Sequence, residues 1–492
     1  MAEGVSESMS GFSWTAAEVC RALRCQPESG DEGLAFSGIS TDTRSLGPGS
    51  LFVALQGERF DAHEFLAAAA ETGATGAVVQ RMPADAPAEL RYFTVEDTLS
   101  GLGRLAHHRR QSLQGRVLGV AGSNGKTTTK DILRAALSTK YRVHATRGNL
   151  NNRIGLPLTL LATPEDAEVI VLEMGTAEPG EIAALVRIAE PDAGIITAIG
   201  EEHLEKLGDL EGVLREEMEL LAGLGPEGVG FVAEEPAELP ARARDLLGAG
   251  RVRVAGFGGE ADLRPDGANA DGVLIQPDGT TRWSWRGHAL HLPLPGRHNV
   301  RNALLALGLA TEWGVPVEDA VRGVETMPAP SLRGEWRRVG EVRVLADCYN
   351  ANPPSLAAAI ELLASLPAAG PKIAVLGTML EMGEGSDSLH RRSAEEIAAR
   401  VGSGGVDRVV ATGAFVRAFE PLAGELGDRL VLREDPVEAY AVIAASLTGT
   451  ETILLKASRG EALERWLPLL EKAWGGTAGK GPASDPASPK KI

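Results

Sequence analysis

Apolar positions along the chain fall into short continuous runs, separated by longer stretches in which they recur every three or four residues. The first pattern reads as strands buried on both faces, the second as helices packed on one face. Val169-Ile170-Val171-Leu172 is the plainest buried strand, and Ala193 to Ile199 is another. Earlier, Leu51-Phe52-Val53-Ala54-Leu55 and Gly76 to Val79 predict strands, with helices over Trp14 to Leu23, Phe65 to Thr72 and Leu99 to Gln111. Residues 211–222 predict a helix, and residues 226–250 read as Pro- and Ala-rich helix and loop. Between Val273 and Leu294 the period changes to two around Pro277-Asp278-Gly279, which predicts a hairpin. A helix opens at Gly296 and runs to Glu312. Further on, apolar runs at Val342 to Ala346, Ile373 to Leu376, Arg408 to Ala411, Leu430 to Leu432 and Thr452 to Leu455 alternate with helical patterns. That alternation predicts a Rossmann-like, doubly wound sheet.

The fold class is therefore α/β, and 492 residues are too many for one core. Three domains are expected: a small α/β module over 1–112, a central P-loop-type ATPase domain with a mostly parallel sheet over 113–328, and a C-terminal Rossmann-like domain over 329–475. Residues 476–492 are Gly, Pro, Ser, Ala and Lys in the main and are expected to be a disordered tail.

Composition narrows the function. A hydrophobic content of 43% suffices for sizeable cores, and a net charge of −18 argues against general nucleic-acid binding. Cys20, Cys25 and Cys348 are sparse and odd in number, which fits a reducing compartment without a disulfide frame. Met1 to Ser13 is polar and small, unlike a signal peptide. No run approaches the roughly 18 apolar residues of a membrane span. A soluble cytoplasmic protein is expected.

The candidate chemistry centres on Gly119-Val120-Ala121-Gly122-Ser123-Asn124-Gly125-Lys126-Thr127-Thr128-Thr129, between a strand pattern and a helix carrying Ile132, Leu133, Ala136 and Leu137. Such a turn wraps backbone N–H groups around phosphate oxygens at a helix N-terminus. Lys126 can reach the outer phosphates and the Thr127 hydroxyl can ligate Mg²⁺. The spacing is G-x-x-G-K-T from Gly122, tighter than the common G-x-x-x-x-G-K-S/T pattern. Glu173 ends its strand at the edge where open parallel sheets bind ligands, and His203 follows the next strand to the same edge. Asn149, Asn151 and Asn152 suit either a polar ligand or an Asx-turn network. Asn299 and Asn302 share one helical face. Asp42, Thr43, Arg44 and Arg59 are candidates to hold a diphosphate or sugar, or are solvated loop charges. Loops after third-domain strands bring Asp347, Tyr349, Asn350 and Asn352, and Lys456 and Arg459, to the ligand edge. No G-x-G-x-x-G follows a strand there, so a dinucleotide site is not supported.

Gly122-Ser123-Asn124-Gly125-Lys126-Thr127-Thr128, Glu173-Met174-Gly175, His203-Leu204-Glu205 and Gly296-Arg297-His298-Asn299 together resemble the Mur ligases, ATP-dependent amide-forming enzymes of peptidoglycan synthesis. Tyr349-Asn350-Ala351-Asn352-Pro353 with Ser355, Met379-Leu380-Glu381-Met382-Gly383 and Ser458-Arg459-Gly460 are similar to the branch that joins D-alanyl-D-alanine to UDP-N-acetylmuramoyl-tripeptide. So is the stretch around Asp42-Thr43-Arg44 and Gly57-Glu58-Arg59-Phe60-Asp61, which the likeness assigns to UDP-substrate binding. The Asp-Asn-Pro-Arg tetrad of the sister ligase that adds a diamino acid is absent.

The resemblance implies ATP and Mg²⁺ as cofactors and the UDP-tripeptide and D-alanyl-D-alanine as partners; a monomer is expected. It casts Gly122 to Thr128 as the phosphate cradle, with Lys126, Glu173 and His203 in catalysis. Thr127, Glu173 and His203 would hold the metal, Asn299 and Asn302 the adenine, Arg333 the phosphates and Asp347 the ribose. Asn151, Asn152, Tyr349, Asn350, Asn352, Lys456 and Arg459 would meet substrate. Where the family commonly carries a carbamylated lysine, this chain has Glu217, read either as a permanent replacement carboxylate or as a solvated helix glutamate. Thr378 and Ala457 replace a usual Asp and Gly. The rival readings are a folylpolyglutamate synthetase-like ligase, a nucleotide-dependent switch or binding protein, and a catalytically inactive homologue.

Overall fold

The computed structural model describes residues 13–27, 31–57, 60–267, 272–328, 331–367, 369–402 and 405–475. The expected tail over 476–492 and the candidate Arg59 lie outside the described residues.

The first unit is a four-stranded parallel sheet in the order β3–β4–β5–β6. Its strands are β3 (Ile39–Ser40), β4 (Leu51–Val53), β5 (Gly76–Val79) and β6 (Arg91–Thr94). A two-stranded ribbon of β1 (Trp14–Thr15) and β2 (Ala35–Phe36) flanks helix α1 (Ala16–Leu23). Thr15 starts α1 with a reciprocal cap: its hydroxyl accepts from the Glu18 N–H and Glu18 accepts from the Thr15 N–H. Helix α2 (Leu66–Glu71) and helix α3 (Thr98–Ser112) complete the unit. Asp97 caps α3 by accepting from the Leu99 and Ser100 N–H groups.

Helix α3 has two working faces. Leu102, Leu105 and Ala106 are fully buried in a cluster that also holds Leu23, Val78, Leu156, Leu160, Ile182 and Leu185. The first and second units thus share one core. Buried Arg109 donates to the Thr163 carbonyl at 2.8 Å, and Arg110 to the Ala189 carbonyl at 2.8 Å.

The second unit is a six-stranded, all-parallel sheet in the order β12–β11–β10–β7–β9–β8. Its strands are β7 (Arg116–Ala121), β8 (Val143–Ala145), β9 (Val169–Glu173), β10 (Ala193–Ile196), β11 (Val229–Ala233) and β12 (Val252–Ala255). Helices α4 (Lys126–Leu137), α5 (Gly155–Leu161), α6 (Glu181–Ala189), α7 (Leu204–Leu207), α8 (Leu210–Ala222) and α9 (Glu238–Leu247) cover it. Residues 229–233, expected to be helix or loop, form β11. Their burial beside β10 outweighs the Pro- and Ala-rich flanks. The expected hairpin is a three-stranded antiparallel sheet of β13 (Leu274–Ile275), β14 (Thr281–Trp285) and β15 (His288–Leu292). A second turn at Arg286-Gly287, both at positive φ, supplies the extra strand. Thr281, Trp283 and Trp285 point inward and Arg282 and Ser284 outward. Helices α10 (Arg297–Glu312) and α11 (Val317–Glu325) close this unit.

The third unit is a mixed sheet in the order β16–β17–β21–β18–β19–β20, with only β16 antiparallel. Its strands are β16 (Glu335–Val339), β17 (Val342–Asp347), β18 (Lys372–Leu376), β19 (Arg408–Ala411), β20 (Leu430–Leu432) and β21 (Thr452–Lys456). Around it pack α12 (Pro353–Ser365), α13 (Ser386–Ala398), α14 (Ala414–Phe419), α15 (Ala423–Leu426), α16 (Pro436–Ile443) and α17 (Trp466–Trp474). Its two faces bury separate clusters, one around Phe415 and Phe419 and one around Trp466.

Leu118 lies in central strand β7 and is fully buried. Leu118→Ala should destabilise the central sheet by about 2–5 kcal/mol, since a buried leucine leaves a cavity when truncated. A matching fall in the denaturant midpoint of the transition that exposes the central unit would show it.

Candidate functional site

Strands β7, β9 and β10 run parallel and end together, so their C-terminal loops open into one cleft of about 650 Å³. The phosphate loop follows β7. Gly122 has φ 119°, and a Cβ there would lie 2.4 Å from the Thr197 hydroxyl, so only glycine fits against β10. The Ser123 hydroxyl donates to the Gly200 carbonyl at 3.0 Å, and Thr197 donates to the Asn124 carbonyl at 2.6 Å. These bonds lock the loop to the segment after β10. Gly125 then opens α4, with Lys126, Thr127 and Thr128 in its first turn facing the cleft.

Three carboxylates converge on this loop. Glu173 at the end of β9 accepts from the Thr127 hydroxyl at 3.1 Å and from the Asn151 amide at 2.8 Å. Glu202 lies 3.7 Å from the Lys126 ammonium. Glu217, on α8, accepts the Gly122 N–H at 2.7 Å and is fully buried. That burial removes the reading of Glu217 as a solvated helix residue. Val213, Leu214, Leu220 and Leu221 occupy the same buried face of α8, which carries the side chain inward. Burial pushes the Glu202 and Glu217 carboxyls up, and Lys126 pulls them back. Burial opposes the charge on Lys126, but Glu202, Glu217 and Glu173 outweigh it and raise its pKa. The lysine is held as a cation.

One oxygen of each carboxylate, Glu173 Oε2, Glu202 Oε1 and Glu217 Oε1, is buried without a hydrogen bond. Their nearby cations are Lys126 and Lys130, the latter 3.8 Å from Glu173. With burial raising the Glu202 and Glu217 carboxyls, a proton or a cation has to share this carboxylate cluster, and hard oxygen donors of this kind suit Mg²⁺. Among the described residues, no group of three or more His, Cys, Asp or Glu side chains forms a ready-made metal cluster. The donor set therefore fits an ion that keeps water and phosphate oxygens in its shell, as Mg²⁺ does.

His203 lines the cleft, and burial holds its pKa below the ordinary value. Asn299 and Asn302 lie at the start of α10: the Asn302 amide donates to Asn299 Oδ1 at 3.0 Å, and Asn299 donates to the Pro295 carbonyl at 2.8 Å. Across from them the third unit supplies Leu345, Ala359 and Leu362, giving an apolar wall suited to a flat base. Arg333 stacks on the Tyr349 ring at 3.9 Å, and Asp347 pairs with Lys456 at 2.9 Å. Lys456 also donates to the Asn350 carbonyl at 2.8 Å, and Arg459 pairs with Glu464 at 3.2 Å. All of these except Glu464 line the same cleft.

The asparagine cluster divides its work. Asn151 faces Glu173, whereas Asn152 Oδ1 accepts the Ile154 and Gly155 N–H groups at the start of α5, as an Asx turn does. Asn352 has a structural role in this arrangement. It is buried outside the cleft lining and caps α12 in a reciprocal pair with Ser355. Asp42, Thr43 and Arg44 stand apart from the cleft in the first unit. Asp42 caps a short turn and pairs with Arg44 at 2.6 Å, which lowers the Asp42 pKa. Sequence reasoning does not single out Glu202, Lys130 or the apolar wall, although Glu202 adjoins His203 and Lys130 lies one helical turn beyond Lys126.

The family model for the Mur ligase middle domain matches residues 120–310, and that for the Mur ligase glutamate ligase domain matches 332–459. Over 455 residues the chain is 37% identical to the UDP-N-acetylmuramoyl-tripeptide–D-alanyl-D-alanine ligase of Bacillus subtilis (strain 168), covering 91% of this chain and 95% of that one. The chain belongs to the Mur ligase family. Among solved structures, this Mur ligase matches MurF from Acinetobacter baumannii with a TM-score of 0.82 at 30% identity, over 94% of this chain and 99% of that one. It matches the MurF ligase from Thermotoga maritima in complex with ADP with a TM-score of 0.76 at 28% identity, over 90% and 98% of the two chains.

We propose that Glu217, a carboxyl that needs no CO₂ to form, stands in for the family's modified lysine. Turnover should be unchanged by adding or stripping bicarbonate, and Glu217→Ala should lower it by about 10–100-fold through loss of support to the phosphate loop and metal. A steady-state assay in degassed and bicarbonate-supplemented buffer checks both, and a clear bicarbonate requirement would overturn the assignment.

Proposed function

We infer that this Mur ligase joins D-alanyl-D-alanine to UDP-N-acetylmuramoyl-tripeptide, with ATP converted to ADP and phosphate. The observation that carries this reading is the single cleft in which Lys126 and its three carboxylates face the Asn350, Lys456 and Arg459 loops of the third unit. The relatives named above carry out that ligation, and two thirds or more of each is covered by this chain.

The terminal carboxylate of the tripeptide attacks the γ-phosphorus of ATP. The bond to the bridging oxygen breaks, ADP leaves, and an acyl phosphate forms. The amine of D-alanyl-D-alanine then attacks the acyl carbon. The resulting tetrahedral adduct loses phosphate, and the nitrogen gives up a proton as the amide forms. Catalysis on this path is chiefly positioning and charge neutralisation. Lys126 neutralises the phosphoryl oxygens during transfer, and its carboxylate neighbours keep it protonated. Thr127, Glu173 and His203 would hold Mg²⁺, which when bound offsets phosphate charge. Glu217 fixes the loop through the Gly122 N–H. Asn299 and Asn302 read the adenine edge, Asp347 takes the ribose and Arg333 the phosphates. Asn151 and Asn152 border the acceptor carboxylate, and Tyr349, Asn350, Lys456 and Arg459 border the amine substrate. Joining the units around the cleft excludes water from the acyl phosphate.

We assign residues 1–112 to UDP-substrate binding through the Asp42–Arg44 loop and Arg59, 113–328 to ATP binding and 329–475 to ligation. Residues of one chain complete the cleft, which suits a monomer. No helix among the described residues is long and apolar enough to cross a membrane. The ATP and UDP-linked substrates of this reading favour a cytoplasmic location.

Phosphate release should require ATP, the UDP-tripeptide and D-alanyl-D-alanine together, and Lys126→Ala should reduce it by at least about 100-fold, as losing a transition-state cation does. A coupled phosphate assay with each substrate omitted in turn checks this. Release with neither acceptor nor amine would indicate a nucleotide switch instead, and glutamate addition to a folate would indicate the other ligase branch.

A further inference from the structure

His203 belongs to the second unit, but its imidazole is held from the third. Its Nδ1 lies 2.7 Å from Glu381 Oε2, on the loop that follows β18. Its Nε2 is left on the cleft side, 4.0 Å from Glu202 Oε2. Glu381 lines the same cleft. Both partners hold left-handed backbone, His203 at φ 49° and Glu381 at φ 64°, a conformation unfavourable to side chains of this size and retained where the surroundings enforce it.

The surroundings enforce it at three further points. Leu204, next to His203, packs against the third unit's core around Phe415 and Met382 rather than its own. Gly383 has φ 64°, and a Cβ there would lie 2.9 Å from the Glu205 Cα, so the loop backbone rests directly on α7. Arg392 of α13 pairs with Glu201 across the same junction. An exposed ion pair by itself adds little to stability. The value of the His203–Glu381 contact lies in what it does to the ring. A carboxylate that accepts one imidazole N–H fixes the tautomer and leaves the other nitrogen bare for a metal or a phosphate-site partner.

We propose that Glu381 is a positioning residue for His203: the third unit accepts the Nδ1 proton, fixes the ring, and presents a bare Nε2 to the phosphate site of the second unit. The ATP site is then complete only when the ligase unit is seated on α7, so activation of the acyl-donor carboxylate is tied to presence of the unit that brings the amine. The proposal rests on the ligase reading for its benefit but not for its geometry.

The test uses full-length protein with ¹⁵N-labelled histidine and long-range ¹H–¹⁵N correlation, with His203 assigned by its loss in His203→Gln. The wild type should show the Nδ1–H tautomer. Glu381→Gln, which keeps an acceptor oxygen, should retain it, and Glu381→Ala should lose it with the melting temperature nearly unchanged. In the ligase assay the Mg²⁺ concentration for half-maximal rate should rise about 10–100-fold in Glu381→Ala and much less in Glu381→Gln, as for other partners of metal-bound histidine. A wild-type tautomer and wild-type Mg²⁺ dependence in Glu381→Ala would overturn the proposal. Should Glu381→Ala fail to fold, Glu381→Asp, too short to reach, takes its place with the same two outcomes. The tautomer is read without turnover, so an error in the substrate assignment would show as an inactive wild type with the histidine result intact.

Discussion

Glu173, Glu202 and Glu217 are buried within reach of one glycine-rich loop, and burying charge is costly unless it is matched. Lys126 and Lys130 match it in part. Burial raises the Glu202 and Glu217 carboxyls, so a proton takes up part of the remainder, one that a divalent cation would displace, and the fold is arranged around that site. Strands β7, β9 and β10 must end level for the three side chains to meet. Helix α8 must turn one glutamate inward among leucines. The Gly122 backbone must lie against Thr197, where no side chain fits. A nucleotide phosphate alone would add negative charge to this centre. Entry together with a divalent cation removes the conflict, so metal and nucleotide are expected to bind as one unit.

The third unit stands in a different relation to this centre. It has its own two cores and meets the second unit at the rim of the cleft, through side chains and through the Gly383 backbone. Leu204, Gly383 and the Arg392–Glu201 pair form one such seat, and the apolar wall of Leu345, Ala359 and Leu362 opposite Asn299 forms another. Surfaces of this modest kind hold an arrangement without freezing it. They suit a unit that has to admit ATP and two substrates and then shut water out.

Much of this was legible in the residues because its causes are local. The phosphate loop is written in glycine spacing, and the strand of Val169 to Leu172 in unbroken β-branched and aliphatic residues. Glu217 was half legible: Val213, Leu214, Leu220 and Leu221 mark the buried face of its helix and place it there, yet glutamate residues on both sides mask the pattern. Strands β11 and β12 were hidden because short strands between Pro, Ala and Gly look like loop until a neighbouring strand buries them. Strand β16, Glu335 to Val339, carries two exposed arginines and reads as polar because it is a sheet edge. Asn352 sits within a substrate-like motif, and its side-chain oxygen also starts a helix, a role that three-residue spacing to Ser355 announces only once the helix is placed. The apolar wall and the His203–Glu381 contact join residues far apart in sequence, and no local pattern encodes them.

The core shared across residue 112 carries a consequence for how the chain can be divided. Leu102, Leu105 and Ala106 of α3 fill the space over α5 and α6, and Arg109 and Arg110 satisfy carbonyls at the ends of those helices. A fragment beginning at residue 113 would lose that cover and present an apolar stripe with bare carbonyls at its rim, a surface prone to self-association. The first and second units are two modules by topology and one by packing. The separation between the first unit and the phosphate loop is set by a shared hydrophobic helix, which acts as a fixed ruler.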